Sequence, residues 1–177
     1  MIIVADTGPV NYLILSGHIG LIPPLYGLLI LPPAVHRELL HPKAPSTVRS
    51  WAEVLPAWAE VRSPKDASRF AELGPGEREA IALALEAKAD FLLIDETKGR
   101  ETAVSHGVHV KGTLGILEEA AERRLVNLPE AVTKLRATGI FLAGDVVQRV
   151  LDRHPEHAIG QQQAPQRMID HDQEIER

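Results

Sequence analysis

The stretch Met1-Ile2-Ile3-Val4-Ala5-Asp6 joins a run of apolar residues to a single acid. A second stretch, Phe91-Leu92-Leu93-Ile94-Asp95, has the same form. Each apolar run has the length and composition of a short strand buried in a parallel sheet. Ligands of open parallel sheets bind beyond the carboxyl ends of the strands, where both acids would then lie. The two stretches therefore predict an acidic site at one edge of a sheet.

Two further acids stand on helix faces that are otherwise apolar. Glu38 shares its stripe with Val35, and Glu77 precedes Ile81 by four residues. Four acids that converge on one pocket repel one another, and a divalent cation relieves that repulsion. Because the chain has no cysteine to compete for zinc, the oxygen ligands favour Mg²⁺ or Mn²⁺.

Each acid also has a simpler interpretation that the sequence leaves open. Asp6 and Asp95 each precede a helix that an acid can cap. Glu77 stands in a first helical turn, where the helix dipole favours a negative charge. Glu38, near a helix end, could turn to solvent and pair with a neighbouring base. Four unrelated caps in one small domain are nevertheless harder to accept than one shared site.

Composition places the chain among globular proteins. Its 177 residues are 45% hydrophobic and 24% charged, which suits one domain with a proper core. No apolar run approaches membrane-spanning length, and no basic segment precedes Met1-Ile2-Ile3-Val4, so we expect neither a membrane span nor a signal peptide. The absence of cysteine excludes disulfides and fits a cytoplasmic protein. A net charge of −5 argues against a broad basic surface for nucleic acid, although bound cations reduce that need.

Short β-like runs alternate with helical stretches, which is typical of an α/β domain. The sequence becomes polar after about residue 152, and it includes Gln161-Gln162-Gln163. We therefore expect residues 1–152 to form the domain and residues 153–177 to form a polar, flexible tail or partner-binding segment. The predicted strands are Ile2–Ala5, Leu28–Leu31, Glu60–Arg62, Phe91–Ile94 and Val108–Val110.

Four motifs, in this order, resemble the PIN domain family: Val4-Ala5-Asp6-Thr7-Gly8-Pro9, Leu31-Pro32-Pro33-Ala34-Val35-His36-Arg37-Glu38, Gly76-Glu77-Arg78-Glu79-Ala80-Ile81 and Leu93-Ile94-Asp95. The stretch Val110-Lys111-Gly112-Thr113 resembles a prokaryotic branch that includes VapC-type toxins. The resemblance spans roughly residues 1–150. It implies a three-layer α/β/α fold with a central parallel sheet, and a Mg²⁺- or Mn²⁺-dependent endoribonuclease.

The resemblance also implies the roles of individual residues. Many relatives have Asp where Glu77 stands, and an extra acid shortly after the last aspartate. Glu96 or Glu101 could fill that second place, which leaves the number of metals open. The catalytic and metal-binding acids implied by the resemblance are Asp6, Glu38, Glu77 and Asp95.

Other residues near the motifs are candidates for supporting roles. Thr7 could donate a hydrogen bond to Asp6 or hold a water. Glu96 could contact the residues that bind the metal without binding the metal itself. Lys98, Arg100 and Lys111 could contact phosphates, the alternative being a solvated helix face. Only two Trp, two Tyr and three Phe are present, so base-stacking platforms are not expected, and no histidines stand at a spacing typical of a metal site.

The expected function is hydrolysis of RNA phosphodiester bonds. The family resemblance also implies a homodimer and, in its toxin members, an antitoxin protein as partner. Two alternatives remain: a non-catalytic PIN-fold scaffold, and a metal-dependent phosphatase for a small phosphate ester. Neither strand-end aspartate heads an Asp-x-Asp pair, and no P-loop is present, which disfavours the phosphatase.

Overall fold

The computed structural model describes residues 1–155. The segment 156–177, which holds most of the predicted polar tail, lies outside the described residues. The strands are β1 (Ile2–Ala5), β2 (Leu28–Leu31), β3 (Ala59–Val61), β4 (Phe91–Leu93) and β5 (Val110–Lys111). The helices are α1 (Thr7–Leu15), α2 (Ile22–Tyr26), α3 (Pro33–Leu39), α4 (Ser46–Glu53), α5 (Pro75–Ala87), α6 (Thr97–Ser105), α7 (Thr113–Glu122), α8 (Leu128–Arg136) and α9 (Gly144–Asp152).

The five strands form one parallel sheet in the order β3-β2-β1-β4-β5. The chain moves outward from β1 through β2 to β3, then returns to the other side of β1 for β4 and β5. Val4 is paired with Ile30 on one side and with Leu92 on the other. The direction of winding therefore reverses between β1 and β4, and such a switch point is where open α/β sheets place their ligands.

Helices cover both faces of the sheet, because successive strand residues point to opposite faces. Ile3 and Ala5 enter a core that also takes residues from α1, α2, α3, α4, α7, α8 and α9. Val4 and Leu92 enter a second core, packed against α5 and α6. Each of these strand residues is fully buried. The predicted three-layer α/β/α fold with a central parallel sheet is confirmed.

Most predicted elements lie within two residues of their observed bounds. The predicted strand Val108–Val110 is displaced, because the backbone N–H groups of Leu92 and Ile94 bond to the carbonyls of His109 and Lys111. Gly107, at φ +80°, turns the chain after α6, and pairing starts only beyond that turn. Within residues 1–155, none of the helices has the length and hydropathy needed to cross a membrane.

Candidate active site

The carboxyl ends of β1 and β4 bring two of the predicted acids to the same edge of the sheet. Ala5 pairs with Leu93, and the Asp6 N–H donates to the Leu93 carbonyl at 2.9 Å. Asp6 directly follows β1, and Asp95 comes two residues after β4. Asp6, Asp95 and the two helix acids Glu38 and Glu77 are called the carboxylate edge below.

Asp6 stands at the N-cap position of α1 but makes no capping hydrogen bond. A cap would bond to the N–H of the second or third helical residue, and the third is Pro9, which has no N–H. The Asp6 carboxylate instead faces Gly76 on α5, and the residue is only 7% exposed. The backbone N–H groups of Thr7 and Gly8 at the start of α1 do stabilise the Asp6 carboxylate, but they do not offset its burial, so capping alone does not account for this side chain.

Glu38 extends from α3 toward Asp6. A Cβ atom added to Gly76 would lie 2.9 Å from Asp6 Oδ1 and 3.1 Å from both carboxylate oxygens of Glu38. The nearest oxygens of the two acids are therefore no more than about 6 Å apart, the sum of those two distances. The Thr7 hydroxyl donates to Glu38 Oε2, and not to Asp6 as was one expectation. Arg37 approaches Glu79 and leaves Glu38 without an ion pair among the described residues.

Glu77 lies in the first turn of α5, half-buried, where its Cγ would be 3.5 Å from a Cβ atom on Gly99 of α6. Its negative charge acts on Asp6. Two residues further, Glu79 accepts a hydrogen bond of 2.8 Å from the backbone N–H of Ala34 in α3. The helix that carries Glu77 thus also fastens the start of the helix that carries Glu38.

Asp95 is held by both its oxygens. Oδ1 accepts the Thr113 backbone N–H at 2.7 Å, and Oδ2 accepts the Thr113 hydroxyl at 2.6 Å. Asp95 Oδ2 also lies 3.7 Å from the Cβ position of Gly8 in α1, next to Asp6. Asp95 therefore bonds to the start of α7 and does not cap α6. Glu96, a predicted supporting residue, is the α6 cap, since its side chain accepts the Gly99 N–H at 2.7 Å.

The electrostatics of this edge differ from those of an ordinary protein surface. Burial, together with the charges of Glu77 and Glu38, raises the pKa of Asp6 to about 7. The backbone N–H groups of Thr7 and Gly8 offset this only in part. A raised carboxyl pKa means that the folded chain does not supply enough positive charge for the anion. Groups perturbed in this way cluster at functional sites.

One predicted phosphate contact stands beside the acids. Arg100 Nη1 donates to the Ile94 carbonyl at 2.8 Å and would lie 3.2 Å from a Cβ atom on Gly112, which Asp95 Oδ1 also approaches at 2.9 Å. Lys98 donates to a loop carbonyl at 3.0 Å. Lys111 pairs with an acid of α7 and lies 4.3 Å from the centre of an aromatic ring, so its charge is already engaged.

Sequence reasoning missed the glycines of the site and the role of Thr113. Carboxylate oxygens approach the Cβ positions of Gly112 and Gly76 to 2.9 Å, so neither position has room for a side chain. Thr113 is the first residue of α7 and is fully buried, with its hydroxyl bonded to Asp95. Their positions in the sequence could have indicated a role, because each of these residues lies within a motif or directly beside one.

A second acidic group is formed by residues of α7 and a histidine that follows α9. Glu118, Glu122 and His154 place one ligand atom each within 4.8 Å of one another, and they are called the α7 acid group below. Within residues 1–155 no three oxygens of the carboxylate edge come that close, as expected of like charges that repel. Arg153 donates to both oxygens of Glu118, at 2.8 and 3.0 Å. The histidine spacing in the sequence did not predict this group.

The carboxylate edge fits a hard divalent cation. Its donors are carboxylate oxygens, the ligand type that Mg²⁺ and Mn²⁺ prefer. Gly76 leaves a cradle between Asp6 and Glu38 that a single Cβ atom would fill. The buried Asp6 with its raised pKa is a group that positive charge would stabilise.

Comparison with known proteins supports the same interpretation. A family model described as a PIN domain matches residues 2–156. Searches of curated proteins and of solved structures found no match. The match covers most of the chain, and with it all five strands and the four acids of the carboxylate edge. The chain therefore belongs to the PIN domain family, whose members are in general nucleases.

Proposed function

We propose that the protein is a Mg²⁺- or Mn²⁺-dependent endoribonuclease that hydrolyses RNA phosphodiester bonds. The observation that carries this proposal is the pair formed by Asp6 and Glu38. The two carboxylates lie within about 6 Å of each other at the switch point of the sheet, and Asp6 is buried with its pKa raised to about 7. Such a pair costs stability unless a cation joins it.

In this proposal all four acids of the carboxylate edge hold the cation. Asp6 and Asp95 contribute from the ends of the strands, and Glu38 and Glu77 from the facing helices. A bound Mg²⁺ or Mn²⁺ supplies positive charge at the scissile phosphate and lowers the pKa of a water. Thr7 orients Glu38, which keeps that carboxylate turned toward Asp6. Thr113 orients Asp95 through both of its oxygens.

The same acids can handle the proton released when water attacks phosphorus. A carboxylate that acts as the general base must lie within reach of that water and keep negative charge that is not fully neutralised. Glu77 meets this description, because it is half-buried beside Asp6 and has no ion pair among the described residues. Arg100, beside Asp95, can donate to a phosphate oxygen, since one guanidinium nitrogen is committed to the Ile94 carbonyl and others are not.

The toxin role belongs to the same proposal. Family resemblance implies a homodimer in the cytoplasm whose carboxylate edge is covered by an antitoxin protein. Expression of the chain alone should then arrest cell growth, and Asp6→Asn should relieve the arrest. A small open reading frame directly upstream would identify the candidate antitoxin. Growth that is unaffected by the active enzyme would exclude the toxin role and leave the nuclease proposal standing.

The test compares two acids that differ in their surroundings. Purified wild type, Asp6→Asn and Glu118→Gln are incubated with single-stranded and structured RNA, with Mg²⁺ or Mn²⁺ titrated in and then removed by a chelator. We expect Asp6→Asn to slow cleavage about 10³-fold or more, since loss of one group that stabilises transition-state charge already costs about 10²–10³-fold. Glu118→Gln, which removes the same charge from the α7 acid group, should cleave like wild type.

Two outcomes would contradict the proposal and favour an alternative. RNA that binds but stays intact at every Mn²⁺ concentration would indicate a non-catalytic scaffold. Hydrolysis of a small phosphate ester with RNA left intact would indicate a phosphatase. Circular dichroism of each variant separates loss of activity from loss of fold.

A further inference from the structure

A cavity of about 410 Å³ opens beside the carboxylate edge. Its polar lining includes Asp95 and Arg100, and its apolar lining includes Ile140, Phe141 and Val146. The volume lies in the lower part of the range of small-ligand sites, which run from about 300 to 1,000 Å³. Because Asp95 belongs to both, the cavity is continuous with the carboxylate edge.

Phe141 is the most exposed large side chain on this wall. It is 91% exposed, and no other aromatic residue in the described part of the chain is exposed. Its neighbours Ile140 and Leu142 are half-buried and pack against the core, so the chain is anchored on both sides of the ring. The loop between α8 and α9 thus displays one aromatic side chain at the mouth of the cavity.

The turn before Phe141 is itself held in place. The Thr138 hydroxyl donates to the Leu135 carbonyl at 2.6 Å, and the N–H of Gly139 donates to the Arg136 carbonyl at 3.1 Å. Gly139 adopts φ +84°, which a residue with a side chain rarely does. The backbone that leads to Phe141 is therefore fixed by the local fold.

The polar lining of the cavity includes the guanidinium of Arg100, a positively charged group suited to phosphate. Arg100 uses one nitrogen on the Ile94 carbonyl, and its planar guanidinium has further N–H groups to donate. Lys111 also lines the cavity, but Glu119 neutralises its charge. A purely apolar partner would remove the charged groups of Arg100 and Asp95 from water without giving Arg100 an anion to bind, which is unfavourable. A ligand that combines a phosphate with a flat apolar face matches both kinds of lining.

We propose that this cavity is a nucleotide subsite of the RNA substrate, in which Phe141 stacks on a base and Arg100 contacts the phosphate of the same nucleotide. The proposal rests on the proposed function, since it assumes that an RNA strand crosses the carboxylate edge. Stacking of a base on an aromatic side chain contributes about 1–3 kcal/mol and tolerates any base. Phe141 therefore strengthens binding of the strand at this position without selecting its sequence.

The experiment measures binding separately from cleavage. In an Asp6→Asn background, the Kd of a labelled single-stranded RNA of six to ten nucleotides is measured by fluorescence anisotropy for Phe141, Phe141→Ala, Phe141→Leu and Phe141→Tyr. We expect Kd to rise roughly 5- to 100-fold for Phe141→Ala, close to as much for Phe141→Leu, and little for Phe141→Tyr, which keeps a flat ring. Val54→Ala removes a different exposed side chain, 79% exposed, and should not change Kd.

A second measurement locates the stacked base. RNAs with one abasic residue at each position are bound to the Phe141 and Phe141→Ala proteins. At one position, the abasic RNA should lose as much affinity as Phe141→Ala does, and the two changes together should cost little more than either alone. Additive losses at every position would overturn the proposal.

The remaining outcomes separate this inference from the proposed function. An unchanged Kd in Phe141→Ala, with normal cleavage by wild type, would overturn the subsite alone. A Kd that depends on Phe141 in a protein that never cleaves RNA would overturn the nuclease proposal and keep the subsite. If light scattering shows that Phe141→Ala changes only the oligomeric state, the loop is a protein interface and the subsite proposal is wrong.

Discussion

The carboxylate edge and the α7 acid group both bring acids together, but the surrounding residues shift the pKa values of these acids in opposite directions. Arg153 donates two hydrogen bonds to Glu118, and His154 Nε2 lies 3.1 Å from the same carboxylate. The bond from Arg153 is the main reason that the pKa of Glu118 is lowered. At the carboxylate edge, burial raises the pKa of Asp6, and the neighbouring acids raise it further.

The two groups differ in whether the chain supplies positive charge to balance the acids. The α7 acid group is compact because bases hold it together, so its charges are balanced within the chain. The carboxylate edge is looser and has an anion that the chain leaves unbalanced. Short distances between ligand atoms therefore point to the α7 acid group, whereas electrostatics and topology point to the carboxylate edge. We regard the unbalanced charge as the better sign of a ligand site.

The largest expected effect is on stability as a function of pH. In chelator-treated protein, Asp6 should lower the free energy of unfolding as pH rises from about 4 to about 7, by up to about 4 kcal/mol. In that range the folded state keeps a proton that the unfolded state has released, so each rise in pH favours unfolding. Denaturant titrations across this pH range should show a flatter dependence for Asp6→Asn.

Glu118 should act with the opposite sign. Its pKa is lowered from an ordinary value of 4.5, so its contribution to stability is present above that pH and is lost as pH falls through the folded-state value. Glu118→Gln should therefore lose stability at neutral pH relative to wild type, and the difference should shrink in acid. If Asp6→Asn and wild type respond to pH alike, the contrast between the two groups is wrong.

The next largest effect is expected from the hydrogen bonds that Thr113 donates to Asp95. Thr113→Val removes the hydroxyl donor and keeps the backbone N–H, so one of two bonds to the carboxylate is lost. We expect activation by Mg²⁺ to require about 10- to 100-fold more cation, since groups that orient metal ligands typically contribute that much. Activity against Mg²⁺ concentration measures this. Thr113→Ser, which restores a hydroxyl, should recover most of the loss, and an unrecovered loss would indicate a packing defect.

A smaller effect is expected from filling the cradle between Asp6 and Glu38. The added methyl group of Gly76→Ala would lie 2.9 Å from an Asp6 oxygen, so the carboxylates must move apart. We expect activity to fall about 10-fold, because misplaced metal ligands weaken the site. Gly144→Ala is the matched control, since nothing lies within 4 Å of a Cβ atom there. Equal activities for the two variants would show that the cradle is not part of the site.

The smallest effect is expected from the cation of the α7 acid group. Arg153→Ala removes an exposed partner of Glu118, and exposed ion pairs contribute little to stability. We expect a slight fall in Tm and no change in RNA cleavage. A loss of cleavage comparable to that of Asp6→Asn would mean that the α7 acid group, and not the carboxylate edge, supports catalysis.

Much of the fold could be read from local pattern. The apolar runs that end in Asp6 and Asp95 predicted two strands with their carboxyl ends at one edge of a sheet, and the structure shows in addition that these strands pair directly. Helix boundaries were harder to predict. A proline in a helical stretch predicts that a helix starts near it, here near Pro9, but α1 begins two residues earlier at Thr7, because proline fits anywhere in a first turn where no N–H is needed.

The site was predictable as a set of residues and not as a set of contacts. The four acids of the carboxylate edge could be named from their places after strands and on helix faces, and their role as metal ligands stays a prediction. Their partners could not be named. Thr7 donates a hydrogen bond to Glu38, and Thr113 donates to Asp95. These bonds form only because segments 31 and 18 residues apart in the sequence meet in the folded chain.

The amino-acid sequence by itself determined the strands, the helices and the acids at their ends, because hydrophobic periodicity and chain-breaking residues act over a few neighbours. Only the tertiary structure decided which acids would be neutralised. Glu118 is paired because Arg153 packs back onto α7, and Asp6 is left unbalanced because the cores on both faces of the sheet exclude water from it. Burial and charge balance are properties of the packed chain, since they depend on every element that surrounds a side chain.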